Sequence, residues 1–344
     1  MNVVNVPTNP GRILDLEWGF AKSAALMAAI EVGIFDQVAN GTGTIEDVAK
    51  GCDISLRGAS AILQAMAALD LMSNSTGRYT LSPDAAQYLV SGLPTYLGDM
   101  HRIFSGINAQ LWPQLPKSLR SGAPVKDLFT SDDASHWDAV FPFLEAVCQP
   151  MAKAIGAYVA SLPISEPRFL DVGSGAGLYS RAVASASQAA QITCVDQSDM
   201  EGKLRSGLQQ VDQEGRLTLR LGDIFAQDWG QDHDVILFSH LLHGFAPDDC
   251  ARLVAKAEQA LVPGGSLIIH EFVTDPAAPQ STPIPALFGL EMLMTSQGDA
   301  YPASVYDTLL AASGFSATKP LSGPRGATQI LISTRNSAAI GESA

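Results

Sequence analysis

Helical periodicity dominates the first part of the chain. From Ile13 to Val38 apolar residues, mainly Ala, Leu and Met, recur at the spacing of one helix face, and the pattern ends near Gly33. Thr44, with Asp47 three places on, marks a short capped helix through Lys50, because a threonine oxygen can accept the free N–H of the first turn. After a break at Gly51-Cys52-Asp53, Ser55 opens an amphipathic helix reaching Met72. Gly77 to Leu81 reads as a turn and strand, and Ser82-Pro83 as the start of another helix. Helices followed by a short strand pair are the layout of a winged helix.

From Leu97 to Leu162 the pattern stays helical, with interruptions predicted at Pro113, Pro116, Pro124 and Pro142. This stretch is rich in rings: Phe104, Trp112, Phe129, Trp137, Phe141, Phe143 and Tyr158. Most are expected in a core, although aromatics between helices also wall small-molecule pockets. Ser161 to Arg168 is a linker, and beyond it the period changes. Apolar runs at 168–172, 191–195, 216–221, 233–238 and 266–273, with a weaker pair near 315–319 and 328–334, alternate with helical stretches. That alternation predicts a doubly wound, mostly parallel sheet. The organisation expected is therefore a winged-helix module over 1–96, a helical connector over 97–164, an α/β domain over 165–336 and a frayed tail over 337–344.

Composition narrows the function classes. With 344 residues and 47% hydrophobic content, the chain can bury two cores. Its 21 basic against 35 acidic residues leave a net charge of −14, which opposes a polyanionic partner. The helix placed to read a DNA groove carries Arg57 as its cation and is otherwise dominated by Ala, Leu and Met, so a module that buries apolar surface against a second subunit fits better. Cys52, Cys148, Cys194 and Cys250 are dispersed and form no C-x-x-C pair, which reads as reduced thiols of a cytoplasmic protein. Neither a signal peptide nor an apolar run long enough to span a membrane is read from the sequence.

The chemistry gathers at the predicted strand ends. Phe169-Leu-Asp-Val-Gly-Ser-Gly-Ala-Gly177 delivers a strand into alternate glycines and then a helix, which brings backbone close to a ligand. A dinucleotide fingerprint would need glycine at Leu178, and Asp171 instead stands inside the strand end. The next strand ends at Asp196, whose carboxylate can accept from both hydroxyls of a ribose. The third ends in Gly222-Asp223-Ile224-Phe225, an acid and an apolar neighbour for an adenine ring, and the fourth in Ser239-His240-Leu-Leu-His243. Each Asp alone is commonly a cap or a solvated loop residue; three at successive strand ends are not. His240 and His243 have the spacing of a metal pair, but no third ligand is evident, and no metal is expected.

The order hydrophobic-hydrophobic-Asp-x-Gly-x-Gly-x-Gly resembles motif I of class I S-adenosylmethionine-dependent methyltransferases. Asp196, GDIF at 222–225, HLLHGF at 240–245, LVPGG at 261–265 and LIIHEF at 267–272 follow in the order seen in small-molecule O-methyltransferases. The chain is similar, over nearly its full length, to bacterial members of the hydroxyindole, caffeate and polyketide-tailoring type. The resemblance implies a seven-stranded Rossmann-like sheet, an N-terminal all-helical winged-helix dimerisation domain, a homodimer, S-adenosylmethionine converted to S-adenosylhomocysteine, and an aromatic or polyketide-like acceptor of secondary metabolism. The implied cofactor residues are Asp171, Gly173, Gly175, Asp196, Gly222, Asp223, Ile224, Phe225, Ser239 and Phe245.

The same resemblance assigns His243 as general base and Glu271 as the carboxylate that orients it. The family follows this histidine with Asp and often Trp, where this chain has Gly244 and Phe245; Phe245 can still stack on adenine. A second orienting carboxylate of the family falls here on Ala300, with Asp299 one place away. Phe288, Met292, Trp137 and Phe141 are implied to line the acceptor pocket. Gly244 and Ala300 leave room for rival readings on the same scaffold: methylation of nitrogen or carbon, or a rearrangement without methyl transfer. A DNA-binding regulator is the non-enzymatic alternative.

Overall fold

The computed structural model describes residues 9–129, 137–321 and 327–337. They form two compact units, one of residues up to 109 with 137–147, the other of 110–129 with the residues from 148 onward.

In the first unit the single helical pattern over 13–38 becomes three helices, α1 (Gly11–Glu17), α2 (Gly19–Glu31) and α3 (Ile34–Ala39). Gly33, at φ 78°, supplies the left-handed turn between the last two. Helix α4 (Ile45–Gly51) is capped as expected by Thr44, which accepts from the Asp47 N–H at 3.1 Å. Ser55 caps α5 (Leu56–Ala68) in the same way through Gly58 at 3.0 Å. A two-stranded hairpin of β1 (Met72–Ser75) and β2 (Arg78–Leu81) follows, so the module is helical with a wing and not all-helical. Then come α6 (Pro83–Tyr88) and α7 (Met100–Ile103). Ala29, Ile34, Val48, Ala59, Leu63 and Met66 are fully buried at the centre, whereas Ile13, Leu14, Leu16, Trp18 and Phe20 stand exposed along α1 and the start of α2.

A π-helical stretch over Phe104–Asn108 leads to α8 (Ala109–Leu111), and α9 (Leu115–Ser121) follows. Pro116 sits in the first turn of α9, where its missing N–H would have no helical partner anyway. The interruption predicted at Pro142 is absent: α10 runs unbroken over Trp137–Ser161 through both Pro142 and Pro150. Each proline removes one backbone bond, but Cys148, Met151, Ala152, Ile155 and Val159 line a buried face that holds the later turns.

The second unit is built on a sheet. Its strands are β3 (Arg168–Val172), β4 (Gln191–Asp196), β5 (Leu217–Leu221), β6 (His233–Ser239), β7 (Leu261–Glu271), β8 (Lys319–Pro320) and β9 (Gln329–Thr334). The helices between them are α11 (Leu178–Ala186), α12 (Glu201–Gly207), α13 (Gln209–Gln213), α14 (Pro247–Ala260), α15 (Pro283–Thr295) and α16 (Ala303–Ala312). Among the described residues the order is β5-β4-β3-β6-β7-β9-β8, parallel from β5 through β7 and antiparallel at β9 and β8. Phe169, Leu170, Val172 and Val235 to Phe238 are fully buried, as central parallel strands covered on both faces require. Strand β7 begins at Leu261, earlier than the predicted 266, because a register shift opposite His233 and Val235 absorbs Pro263-Gly264-Gly265. The chain winds one way from β3 to β5 and the other from β6 to β7, so the carboxyl ends of β3 and β6 flank a topological switch point. No helix among the described residues is long and apolar enough to cross a membrane.

Candidate active site at the switch point

The glycine turn after β3 needs its glycines. Gly173, Gly175 and Gly177 have φ of 72°, 56° and 79°, a region that disfavours side chains. A methyl added at Gly177 would stand 2.9 Å from Leu208 Cγ. The Gly175 N–H donates to Asp196 Oδ2 at 2.7 Å and the Gln197 N–H to Oδ1 at 2.8 Å. Burial pushes the Asp196 carboxyl up to about 6, although both backbone bonds pull it down. One N–H on each oxygen leaves each with a further lone pair. Asp171 serves the turn from beneath: it is 1% exposed, accepts the Ser180 hydroxyl at 2.7 Å, and is pushed by burial up to about 7.

The adjacent rim is tied down by residues of two loops and a helix. The Gly222 N–H donates to the Asp196 carbonyl at 2.9 Å, joining the ends of β4 and β5. Asp223 is exposed, and its Oδ1 closes an Asx turn by accepting from the Phe225 N–H at 2.7 Å. The Phe225 ring meets Phe245 edge-on at 5.4 Å and carries the Arg252 guanidinium 4.3 Å above it. Ile224, Phe225 and Phe245 remain only partly buried. Lys256 Nζ donates to the carbonyls of Ile224, Phe225 and Gln227 at 3.1, 3.0 and 2.7 Å.

His243 and Glu271 meet at the ends of β6 and β7. Glu271 is fully buried, its Oε2 lies 2.5 Å from His243 Nδ1, and its Oε1 accepts from the N–H groups of Leu241, Leu242 and His243 at 2.8, 2.9 and 3.4 Å. Burial alone would raise this carboxyl, but His243 beside it reverses the sign and holds it below the usual range, so it stays a carboxylate. A carboxylate can only accept, so Nδ1 carries the proton and the Nε2 lone pair is left for other work. The rings of Phe288, Phe129 and His240 surround the imidazole at centroid distances of 4.9, 5.7 and 5.8 Å.

The third ligand not evident in the sequence is Glu271: ligand atoms of His240, His243 and Glu271 all lie within 4.8 Å of one another. Both Glu271 oxygens are committed, however, to the imidazole and to backbone N–H groups. The donor set therefore reads as an orienting constellation. His240 adopts a φ of 52° and is lowered by burial to about 4, which keeps it neutral. Ser239 does not face outward; its hydroxyl lies 3.0 Å from His270 Nδ1, which Tyr179 OH also meets at 2.8 Å.

The comparisons with known proteins now bear on this geometry. Residues 153–316 match the O-methyltransferase domain, and residues 14–91 the O-methyltransferase dimerisation domain. The chain belongs to the O-methyltransferase family. It is 29% identical to the 3-hydroxy-5-methyl-1-naphthoate 3-O-methyltransferase of Streptomyces sahachiroi, over 89% of this chain and 90% of that one. The 8-O-methyl transferase TcmO of tetracenomycin polyketide synthesis, from Streptomyces glaucescens, is 28% identical over 92% and 94%. Human N-acetylserotonin methyltransferase, whose structure holds S-adenosylmethionine, shares the fold with a TM-score of 0.80 at 22% identity, covering 97% of this chain and 99% of that one.

This O-methyltransferase uses S-adenosylmethionine, and its strand ends fit that molecule. The spare Asp196 lone pairs suit a ribose diol, and the partly buried Ile224, Phe225 and Phe245 offer an apolar slot for adenine. Asp196→Asn keeps the volume but loses the charge on those bonds. It should weaken S-adenosylmethionine binding about 10- to 100-fold, as charge-assisted hydrogen bonds do, while kcat at saturating cofactor moves little; calorimetry and steady-state rates check this.

Other expected residues fall as follows. Phe288 joins the cage around His243 and stacks on Phe272 at 4.1 Å, while Met292 is buried on the same helix. Trp137 and Phe141 belong to the first unit, where their rings stack at 5.5 Å. Asp299, one place from the missing carboxylate, has its Oδ1 committed to its own loop, where it accepts from the Ala300 N–H at 2.7 Å. Sequence reasoning missed Glu291, one turn beyond Phe288 on α15, whose carboxyl is raised by burial and drawn back by His243. An acid inside the apolar run FGLEMLM was the available signal. Phe129 was legible only as one aromatic among several.

Proposed function

We propose that the enzyme methylates a hydroxyl on an aromatic or polyketide-like small molecule of secondary metabolism, with His243 as general base and Glu271 as its orienting carboxylate. The carrying observation is the 2.5 Å contact between Nδ1 and the buried Glu271, which leaves Nε2 as a base inside a ring-lined wall. S-adenosylmethionine supplies a methyl group already activated by its sulfonium. What remains for the chain is alignment of the acceptor and removal of its proton. Phe288, Phe129 and Phe272 favour a flat apolar acceptor, Met292 adapts to its outline, and the imidazole takes the hydroxyl proton as the oxygen attacks. The naphthoate and tetracenomycin relatives support this acceptor class. Gly173, Gly175, Gly222 and Asp223 shape the cofactor rim around Asp196 in this reading. We further propose a cytoplasmic homodimer formed through the dimerisation domain, whose α1 and α2 expose the apolar side chains such a contact would bury.

The test is turnover of S-adenosylmethionine with a panel of hydroxylated naphthoates and anthraquinones against amine and carbon acceptors, the product read by mass spectrometry and NMR. The expected result is an O-methyl aryl ether together with S-adenosylhomocysteine. Methylation confined to nitrogen or carbon would overturn the acceptor assignment.

A further inference from the structure

Two close approaches hold the turn that carries His243, and one of them is between Gly244 and Phe129. On one side Gly298 packs so tightly that a methyl there would lie 2.0 Å from the His243 carbonyl oxygen and 2.7 Å from the Phe245 nitrogen. On the other, a methyl at Gly244 would meet the Phe129 ring, at 2.4 Å from Cδ1 and Cε1 and 2.9 Å from Cγ. Gly244 is absent from the left-handed glycines, so its backbone does not demand glycine; the ring does. The Phe129 edge contacts extend to His243 at 5.7 Å and 82° and to Phe245 at 6.3 Å and 62°.

The ring is placed from the acceptor side. The N–H groups of Val125 and Lys126 donate to the Met294 carbonyl at 2.9 and 3.3 Å, and that of Leu128 to the Thr295 carbonyl at 2.8 Å. The Phe129 N–H donates to Asp127 Oδ1 at 3.0 Å. The strap 125–129 is thereby fastened to the last turn of α15, the helix that carries Phe288 and Met292.

We propose that Phe129 is a positioning residue matched in size to Gly244: the missing side chain at 244 admits the ring, and the ring fixes the His243 imidazole relative to α15. This rests on the reading of His243 as the base. The pairing gives the departure from the family's Asp at 244 a physical reason, since any side chain there would displace Phe129. It also makes the acceptor wall and the base a single packed assembly, because shifting α15 moves the strap and with it the ring against the imidazole.

A double-mutant cycle tests it. Gly244→Ala pushes the ring off the imidazole, and Phe129→Ala leaves a void beside it; each should lower kcat about 10- to 100-fold, the scale of a misplacement near 1 Å. S-adenosylmethionine affinity should fall less than kcat in both, since Phe129 meets Phe245 only edge-on at 6.3 Å. In Phe129→Ala/Gly244→Ala the new methyl enters the vacated space, so kcat should exceed that of Gly244→Ala alone by at least about threefold instead of falling further, a non-additivity expected only of residues in contact. Phe129→Leu should tolerate Gly244→Ala better than the wild-type ring does, a rescue that a merely structural role would not give. Near-wild-type kcat in Gly244→Ala, or multiplicative losses in the double variant, would overturn the proposal. Because the coupling is read between 129 and 244, it is separable from the outcome of removing His243 itself.

Discussion

Replacing His243 with Ala is expected to lower kcat by about 10²- to 10⁴-fold while leaving S-adenosylmethionine affinity within about twofold of wild type. The size follows from what a positioned base contributes to a proton transfer. The selectivity follows from geometry: the Asp196 and glycine-turn contacts lie on β3 and β4, whereas His243 stands beyond β6. Truncation removes the ring that Phe288 and Phe129 pack against, so a few degrees of melting temperature should also go. Rapid-quench measurement of methyl transfer, alongside calorimetric titration of the cofactor, separates the two effects. Turnover equal to wild type would remove His243 from the chemistry.

Glu271→Gln should be comparably damaging, through a different physical step. An amide of the same shape keeps one oxygen for the N–H groups of Leu241, Leu242 and His243, so the turn stays capped. Its NH₂ then faces Nδ1, where a carboxylate oxygen stood at 2.5 Å. A donor there forces Nδ1 to accept, moves the imidazole proton to Nε2, and removes the lone pair from the side facing the acceptor. The expected loss is about 10³- to 10⁴-fold in kcat with the fold retained, the scale of a wrong-tautomer histidine. Glu271→Ala should lose activity and stability together, because it also leaves buried N–H groups without an acceptor. Circular dichroism melts distinguish the two variants. Retained activity in Glu271→Gln would show that the carboxylate charge is dispensable.

The α/β unit was legible wherever burial on both faces produces an apolar run: β3 spans Arg168–Val172, the bounds that the run at 168–172 predicts. Reading failed where a local signal was outweighed. Pro263-Gly264-Gly265 reads as a turn, yet pairing of Leu261 with His233 draws it into β7 through a register shift. Pro142 reads as a stop, yet apolar packing along the later turns of α10 carries the helix past it. In the candidate site, the strand-end acids and His243 stand on motifs, and so the sequence points to them. The Phe129–Gly244 contact has no sequence signature, because a glycine required by a distant ring looks the same as one required by a turn. Ser239 and Asp171 were in place but turn inward, toward His270 and Ser180, since buried polar atoms take the nearest partner available.

The hold of Lys256 on the loop over 224–227 has a thermodynamic consequence. A single ammonium satisfying the carbonyls of Ile224, Phe225 and Gln227 restrains that segment before any ligand arrives. A ligand placed against Phe225 and Phe245, as the proposed cofactor site would place adenine, then orders little new backbone, and the loss of conformational entropy that weakens most loop-built sites is small. Such a rim should give cofactor association an enthalpic signature with little ordering, and exchange-protected amides at 225–227, whose N–H groups donate to Asp223, even in the ligand-free enzyme.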